Sequence, residues 1–96
     1  MADLEIAEIF HESGTIKFRY ARYLAADGSR WIPHGRFVDY AEDGTVRSEG
    51  SYEHGAEHGP WKDFHPNGRL AAAGDFDHGK EADNWRFWDA EGVPMA

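Results

Sequence analysis

The sequence has 96 residues, no cysteine and a formal net charge of −8, with 10 Lys and Arg against 18 Asp and Glu. This length makes one domain, and the absence of cysteine excludes a disulfide framework and thiolate chemistry. The negative charge argues against binding of nucleic acid or anionic lipid, because phosphate groups repel a surface of that sign.

The chain begins with MADLEIAEIF, which has neither the basic n-region nor the apolar h-region of a secretory signal. No segment of the sequence approaches the roughly 18 apolar residues of a transmembrane helix. We therefore expect a cytoplasmic protein.

Most of the chain repeats with a period of 24 residues. FHESGTIKF matches YAEDGTVRS at a step of 30, which indicates a six-residue insertion between Thr15 and Gly35. Fixed-period self-similarity is the signature of a repeat architecture. The 24-residue step relates Phe37, Trp61 and Trp85; Tyr40, Phe64 and Trp88; and Gly44, Gly68 and Gly92. The sequence predicts a single domain over 1–96, made of a partial repeat at 4–34 with an insertion at about 22–34, repeats at 35–58 and 59–82, and a C-terminal partial repeat at 83–96.

Each unit has the pattern of a β-hairpin. In HPNG, Pro66 and Asn67 occupy the centre of a tight turn, and Gly68 is suited to the left-handed position of a bulged hairpin. AEDG at 41–44 and DAEG at 89–92 repeat this pattern, and a second turn at Gly55 or Gly79 joins each unit to the next. The predicted fold is all-β, an elongated twisted antiparallel sheet of about seven strands built from consecutive 24-residue hairpin repeats.

Two glycines lie inside predicted strands, where a glycine costs conformational entropy and packs nothing. We expect Gly50 and Gly74 to leave room for the rings at 61 and 85, or at 37, to lie across the neighbouring backbone. Packing of an aromatic ring on glycine would then be the recurring contact between units.

The unit HG-x-W-x-D-F-x-x-N-G-x-L-x-x-x-G-x-F-x-x-G resembles the MORN-type repeat, in the variant found in short bacterial proteins often described as antitoxins. The resemblance covers about residues 9–92 and implies a β-hairpin repeat fold that binds a partner protein. It also implies that the partner is a toxin neutralised by occlusion. Tyr20 stands where Gly50 and Gly74 stand later, and Ala82-Asp83 replaces the expected His-Gly, so the first and last units are interpreted as caps.

Candidate metal and catalytic sites fail on spacing. Equivalent residues such as His34 and His58 should lie about 10 Å apart, too far to share an ion. His54 and His58 lie in one loop and could converge, but Ala82 replaces the second histidine in the next unit. The histidines are therefore interpreted as turn residues that pack on the adjacent hairpin, with no metal and no cofactor.

Catalysis also lacks a candidate nucleophile, because the chain has only four serines and none lies in a nucleophile-elbow context. Asp39 and Asp63 recur at one repeat position, and their predicted spacing of about 10 Å exceeds that of paired catalytic carboxylates. Their expected role is structural, in bonds to the neighbouring backbone or to Lys and Arg across the strand. The protein is predicted not to be an enzyme.

A protein-interaction module is the favoured function. The insertion holds Trp31 away from the repeat positions, near Arg22 and Arg30, and these residue types dominate binding hot spots. We slightly favour an alternative in which Trp31 covers the first aromatic rings of the sheet. Rings and carboxylates of the repeats are expected to form one platform. The predicted partner-binding residues are Trp31, Tyr40, Phe64, Trp88, Arg30, Asp39 and Asp63.

The charge distribution favours a basic protein partner, and the resemblance implies that this partner is a toxin or effector. Residues 1–36 contain five Lys and Arg and five Asp and Glu, whereas residues 37–96 contain five and thirteen. The alternatives are a self-assembling protein, for example a homodimer, and a peripheral membrane protein, which the charge disfavours. Edge strands near 4–10 and 84–89 are also able to accept another strand.

Overall fold

The computed structural model describes residues 3–95, so the ends of the predicted domain at 1–2 and 96 lie outside it. The described residues form one ten-stranded antiparallel sheet and contain no helix, hence none long and apolar enough to cross a membrane. The strands are β1 Glu5–Phe10, β2 Ile16–Leu24, β3 Trp31–Tyr40, β4 Val46–Glu53, β5 Ala56–Glu57, β6 Gly59–Phe64, β7 Leu70–Asp77, β8 Lys80–Glu81, β9 Arg86–Trp88 and β10 Pro94–Met95.

Consecutive hairpins build the sheet in the order β1-β2-β3-β4-β6-β7-β9-β10, while β5 pairs with β4 and β8 pairs with β7. The predicted fold class is confirmed: the molecule is a single open antiparallel sheet of hairpin repeats. The strand count exceeds the predicted seven because β5, β8 and β10 have two residues each, too few to leave a pattern in the sequence.

The molecule measures 47 × 36 × 16 Å, and its smallest dimension shows that one sheet stands alone. With no second layer, few side chains become buried, and none of the described ones is completely enclosed. The most buried apolar residues, each 5 or 6% exposed, are Ala7, Ala21, Val38, Trp61 and Ala72.

The predicted bulged turns are confirmed. The amide of Gly68 donates to the carbonyl of His65 at 2.9 Å, and the amide of Gly44 donates to that of Ala41 at 3.0 Å. Both glycines have φ near 90°, which strains a residue with a side chain. The strand register then shifts at Asp39/Tyr40 in one hairpin and at Asp63/Phe64 in the next. Equal turns therefore give equal registers, which keeps equivalent side chains on the same face.

Candidate functional site

Two tryptophans lie flat over the two strand glycines. A Cβ atom built on Gly50 would come within 2.2 Å of the Trp61 ring, and one on Gly74 within 2.4 Å of the Trp85 ring. Each indole also donates a hydrogen bond to the carbonyl after its glycine: Trp61 Nε1 to Ser51 O at 3.0 Å, and Trp85 Nε1 to Asp75 O at 2.9 Å. The expected packing of rings on glycine is confirmed at both positions.

These tryptophans belong to a continuous row of rings on one side of the sheet, which we call the aromatic face. Neighbouring rings in the row meet edge-on or tilted, an arrangement that adds about 0.5–1.5 kcal/mol per pair to the burial term. The ring centroids are 5.2 to 5.6 Å apart in the successive pairs Phe18–Phe37, Phe37–Tyr52, Tyr52–Trp61, Trp61–Phe76 and Phe76–Trp85.

A shallow groove runs along the aromatic face and carries four carboxylates, those of Asp39, Glu57, Asp63 and Glu81. Strand pairing explains their convergence, because Asp39 and Asp63 both lie opposite Ser48. The Ser48 hydroxyl donates to Asp63 Oδ1 at 2.7 Å. No lysine or arginine is among the described residues that line this groove. The groove is therefore acidic as well as aromatic, and we call it the acidic groove.

Tyr52 lies in the acidic groove, and the pKa of its side chain is shifted there. Burial raises the pKa of its phenol above the usual 10.0, and the nearby Glu57 carboxylate raises it further, because both disfavour a phenolate there. The ring pairs of Tyr52 with Phe37 and with Trp61 place it in the middle of the aromatic face.

Basic side chains of the repeats lie on the opposite face. Strand residues alternate between faces, so Arg36, Lys62 and Arg86 point away from the neighbouring rings at 37, 61 and 85. Arg36 donates to Glu49 at 3.0 Å, and in the first hairpin Arg19 donates to Glu8 at 2.6 Å. Within the repeats, the sheet thus keeps these basic side chains off the face that carries the acidic groove.

Because successive strand residues point to opposite faces, the predicted partner-binding residues are divided between the two faces of the sheet. Asp39 and Asp63 line the acidic groove, whereas Tyr40, Phe64 and Trp88 lie on the opposite face and are half-buried. The single platform of rings and carboxylates expected from the sequence is therefore not formed by these residues. The rings that accompany the two aspartates are those of Phe37 and Trp61.

The insertion forms the far end of the β2–β3 hairpin. Trp31 pairs with Leu24 and is 41% exposed, and its ring lies 4.0 Å from the Arg22 guanidinium. The indole thus stacks on Arg22, not over the first rings of the sheet as the favoured alternative expected. Arg30 lies exposed at the turn, where its carbonyl accepts a hydrogen bond from the amide of Ala25.

Four histidines hold the second set of turns, as expected. His34 Nδ1 accepts a hydrogen bond from the backbone amide of His54 at 3.0 Å, and His58 Nδ1 accepts one from that of His78 at 3.2 Å. His54 and His78 adopt φ of 48° and 49°, and the paired rings are 4.5 and 4.3 Å apart. These contacts tie each hairpin to the next.

One histidine cluster has the composition of a metal site. Candidate ligand atoms of Glu53, His58 and His78 all lie within 4.8 Å of one another, so His58 converges with His78 and not with His54. Because His58 Nδ1 accepts a hydrogen bond, its neutral ring carries the proton on Nε2, which lies 3.6 Å from the Glu53 carboxylate. A cation at Nε2 would need an imidazolate or a broken turn. The geometry thus fits a contact from the ring N–H to the carboxylate better than metal ligation.

Sequence reasoning missed Glu57 and Glu81, which line the acidic groove. A signal for them existed: they are 24 residues apart, and each pairs with an aromatic residue, Tyr52 or Phe76. Glu57 and Glu81 lie on strands of only two residues, β5 and β8, which are too short to show an alternating pattern in the sequence. Their pairing with Tyr52 and Phe76 was therefore not predicted.

The comparisons agree with this architecture. The family model of the MORN repeat variant matches residues 33–54 and 57–78. Searches of curated proteins and of solved structures found no significant match. MORN repeats are commonly protein-interaction or membrane-binding modules, and the family is not known as enzymatic. The two matched ranges coincide with successive hairpins of one open sheet, so residues 33–54 and 57–78 form two MORN-type repeats.

Proposed function

We propose that this protein is a non-enzymatic interaction module whose acidic groove binds a basic segment of a partner protein. One observation carries this assignment: four carboxylates lie among a row of aromatic rings, and no lysine or arginine is among the described residues that line the groove. Basic side chains from a partner would meet both kinds of group there.

Lysine and arginine suit this surface for two reasons. A cation over the face of an accessible groove ring, such as Phe87, which is 49% exposed, gains about 0.5–2 kcal/mol from the ring quadrupole. Asp39 and Asp63 lie two residues along their strands from the rings of Phe37 and Trp61, and their carboxylates add charge complementarity, which chiefly speeds association. The rings are fixed by their glycine contacts, so little side-chain entropy is lost on binding.

The resemblance to antitoxin-type proteins adds a finer version of this proposal. In that version the partner is a toxin or effector in the cytoplasm, and the sheet neutralises it by covering its basic surface. A wide flat sheet suits occlusion better than catalysis. The acidic groove supports the basic character of the partner, and the resemblance alone supports its being a toxin.

Titration with a fluorescently labelled lysine-rich peptide tests the proposal. The double variant D39N/D63N removes two groove carboxylates and keeps the acceptor for Ser48. E8Q/E49Q is the matched control, because it removes the same charge from the opposite face. We expect the first variant to bind about tenfold more weakly than wild type, since each lost charge pair is worth about 0.2–1 kcal/mol. The control should bind nearly as wild type does.

Equal weakening by both variants would show general attraction to an acidic protein and would contradict a site in the groove. Binding of wild type should also weaken as salt rises. Vesicles of anionic lipid should not bind, because the groove repels phosphate headgroups. Binding to such vesicles would favour the membrane alternative.

A further inference from the structure

The two edges of the sheet differ in length and in protection. At one end, β1 offers six residues, and none of the described residues pairs with its outer side. At the other end, β10 has two residues and begins with Pro94, which cannot donate to a further strand. Proteins blunt exposed edges with short strands and proline. Only the β10 end has these features.

The side chains of the open edge are unusually apolar. Within seven residues, Leu4, Ile6, Ile9 and Phe10 are 52, 63, 43 and 54% exposed. A long edge strand with exposed apolar side chains is a template for pairing with another strand. The edge strand contains no lysine, glycine or proline to oppose that pairing.

The charges of β1 are already neutralised within the chain. Glu5 accepts a hydrogen bond from Arg22 at 2.9 Å, and Glu8 accepts two from Arg19, at 2.9 and 2.6 Å. Both arginines lie on β2, directly across from their glutamates. The carboxylates are therefore held toward the interior of the sheet and leave the outer edge without net repulsion.

The charge of the whole molecule indicates which partner fits. Residues 1–36 carry no net charge, whereas residues 37–96 carry all of the −8. Two copies that meet at their β1 edges join their neutral ends and keep their acidic repeats far apart, because the sheet extends up to 47 Å. A meeting at the β10 ends would bring the acidic repeats together.

From these features we propose that the protein forms a two-fold homodimer in which β1 pairs antiparallel with β1 of a second copy. Residues that lie opposite each other must point to the same face of the sheet. The two-fold axis therefore lies between one residue of β1 and the same residue of the second copy. An axis at Glu8 places Ile6 opposite Phe10 and Ala7 opposite Ile9 of the second copy. An axis at Ala7 would instead place Ile6 opposite Glu8. The first register matches apolar with apolar on both sides of the axis and places at the axis the two Glu8 residues, whose carboxylates are paired with Arg19, so it is the one we assign.

Sedimentation velocity over a wide concentration range tests the dimer. Wild type should reach twice the 10.9 kDa of one chain. The variant I6K/F10K should remain monomeric, because lysine protects an edge and both side chains are exposed in the monomer. V93K/M95K is the matched control, since it adds the same charge at residues 56 and 59% exposed near the other edge, and it should still dimerise. A monomeric wild type, or a dimer that only the control disrupts, would overturn the proposal.

Single cysteines test the register independently of those variants, because the chain has no cysteine of its own. In E8C the two cysteines face each other at about 5 Å between Cα atoms, within the range of a disulfide. In I6C they are about 14 Å apart along the strands, which prevents a disulfide. Non-reducing electrophoresis after mild oxidation should show a covalent dimer for E8C and little for I6C. The reverse result would refute the assigned register.

Discussion

The repeats and the first hairpin solve the same packing problem with different side chains. In the repeats, Trp61 lies over Gly50 and reaches the next carbonyl with its N–H. Where β3 packs on the first hairpin, the corresponding ring is Phe37 of β3 and the position beneath it is Tyr20 of β2, with ring centroids 6.3 Å apart. Phenylalanine has no N–H to donate, and tyrosine leaves no space over the backbone.

The difference shows what each region contributes. The contact of Trp61 with Gly50 joins the two hairpins that the family model matches, and that of Trp85 with Gly74 joins the next strand to them. The first hairpin instead relies on small buried residues, Ala7 and Ala21, and on two exposed ion pairs between β1 and β2. Exposed ion pairs add little stability. We therefore expect the repeats to hold the sheet together and the first hairpin to be the easier region to open.

The largest effect should come from filling the space under an indole. Gly50→Ala places a methyl group within 2.2 Å of the Trp61 ring, so the ring must move and lose its hydrogen bond. We expect a loss of about 3 kcal/mol or more in the free energy of unfolding. Gly44→Ala is the control: it meets no atom within 4 Å and should cost only about 1–2 kcal/mol of backbone strain. Urea denaturation measures both, and equal losses would contradict the contact.

Removing only the indole N–H should have a smaller effect. Trp61→Phe keeps a ring over Gly50 and removes one of the two hydrogen bonds to the Ser51 carbonyl, which also accepts the amide of His58 at 3.0 Å. One hydrogen bond is worth about 0.5–1.5 kcal/mol of stability when its acceptor keeps another donor. Urea denaturation should show this loss. A variant as stable as wild type would mean that water replaces the indole.

The glycine contact of the repeats can be transferred to the pair Tyr20 and Phe37, between β2 and β3, to test whether it is stabilising there too. Tyr20→Gly alone loses a ring, and Phe37→Trp alone has no space beneath it. Together they recreate the arrangement of the repeats, so the double variant should be more stable than the sum of the single changes by about 0.5–3 kcal/mol. Thermal unfolding of the four proteins gives this coupling. Simple additivity would show that the backbone of β2 differs from that of β4.

The smallest effect should appear only at alkaline pH. The raised pKa of Tyr52 means that the folded protein binds this proton more tightly than the unfolded chain does. Stability from this group is therefore complete below the usual pKa of 10.0 and declines as the pH rises above it. Thermal unfolding should show a shallower alkaline decline for Tyr52→Phe than for wild type. An identical decline in both would place its cause elsewhere.

Much of the fold was predictable because every unit repeats the same local chemistry. The turn glycines, the strand glycines and the rings over them follow from sequence offsets, and the structure confirms them at Gly68, Gly50 and Gly74. The same turn and glycine positions recur in each repeat, so each prediction made for one unit was supported by the equivalent residues of the others.

The surfaces were harder to predict. Asp39 and Tyr40 are neighbours in sequence, and grouping them in one platform ignored that neighbours in a strand face opposite sides. The contact of Trp31 with Arg22 joins the strands of a hairpin lengthened by the insertion, for which no second copy exists. Contacts outside the repeat have no internal comparison, so the sequence carries less information about them.

A double-mutant cycle at the last repeat tests most directly whether indole–glycine packing holds the hairpins together. Urea denaturation is measured for wild type, Gly74→Ala, Trp85→Ala and the double variant. In wild type, Gly74→Ala should be strongly destabilising because its Cβ meets the Trp85 ring at 2.4 Å. Without that ring, the same change should cost almost nothing, giving a coupling of about 2–3 kcal/mol. Equal costs in both backgrounds would contradict the account.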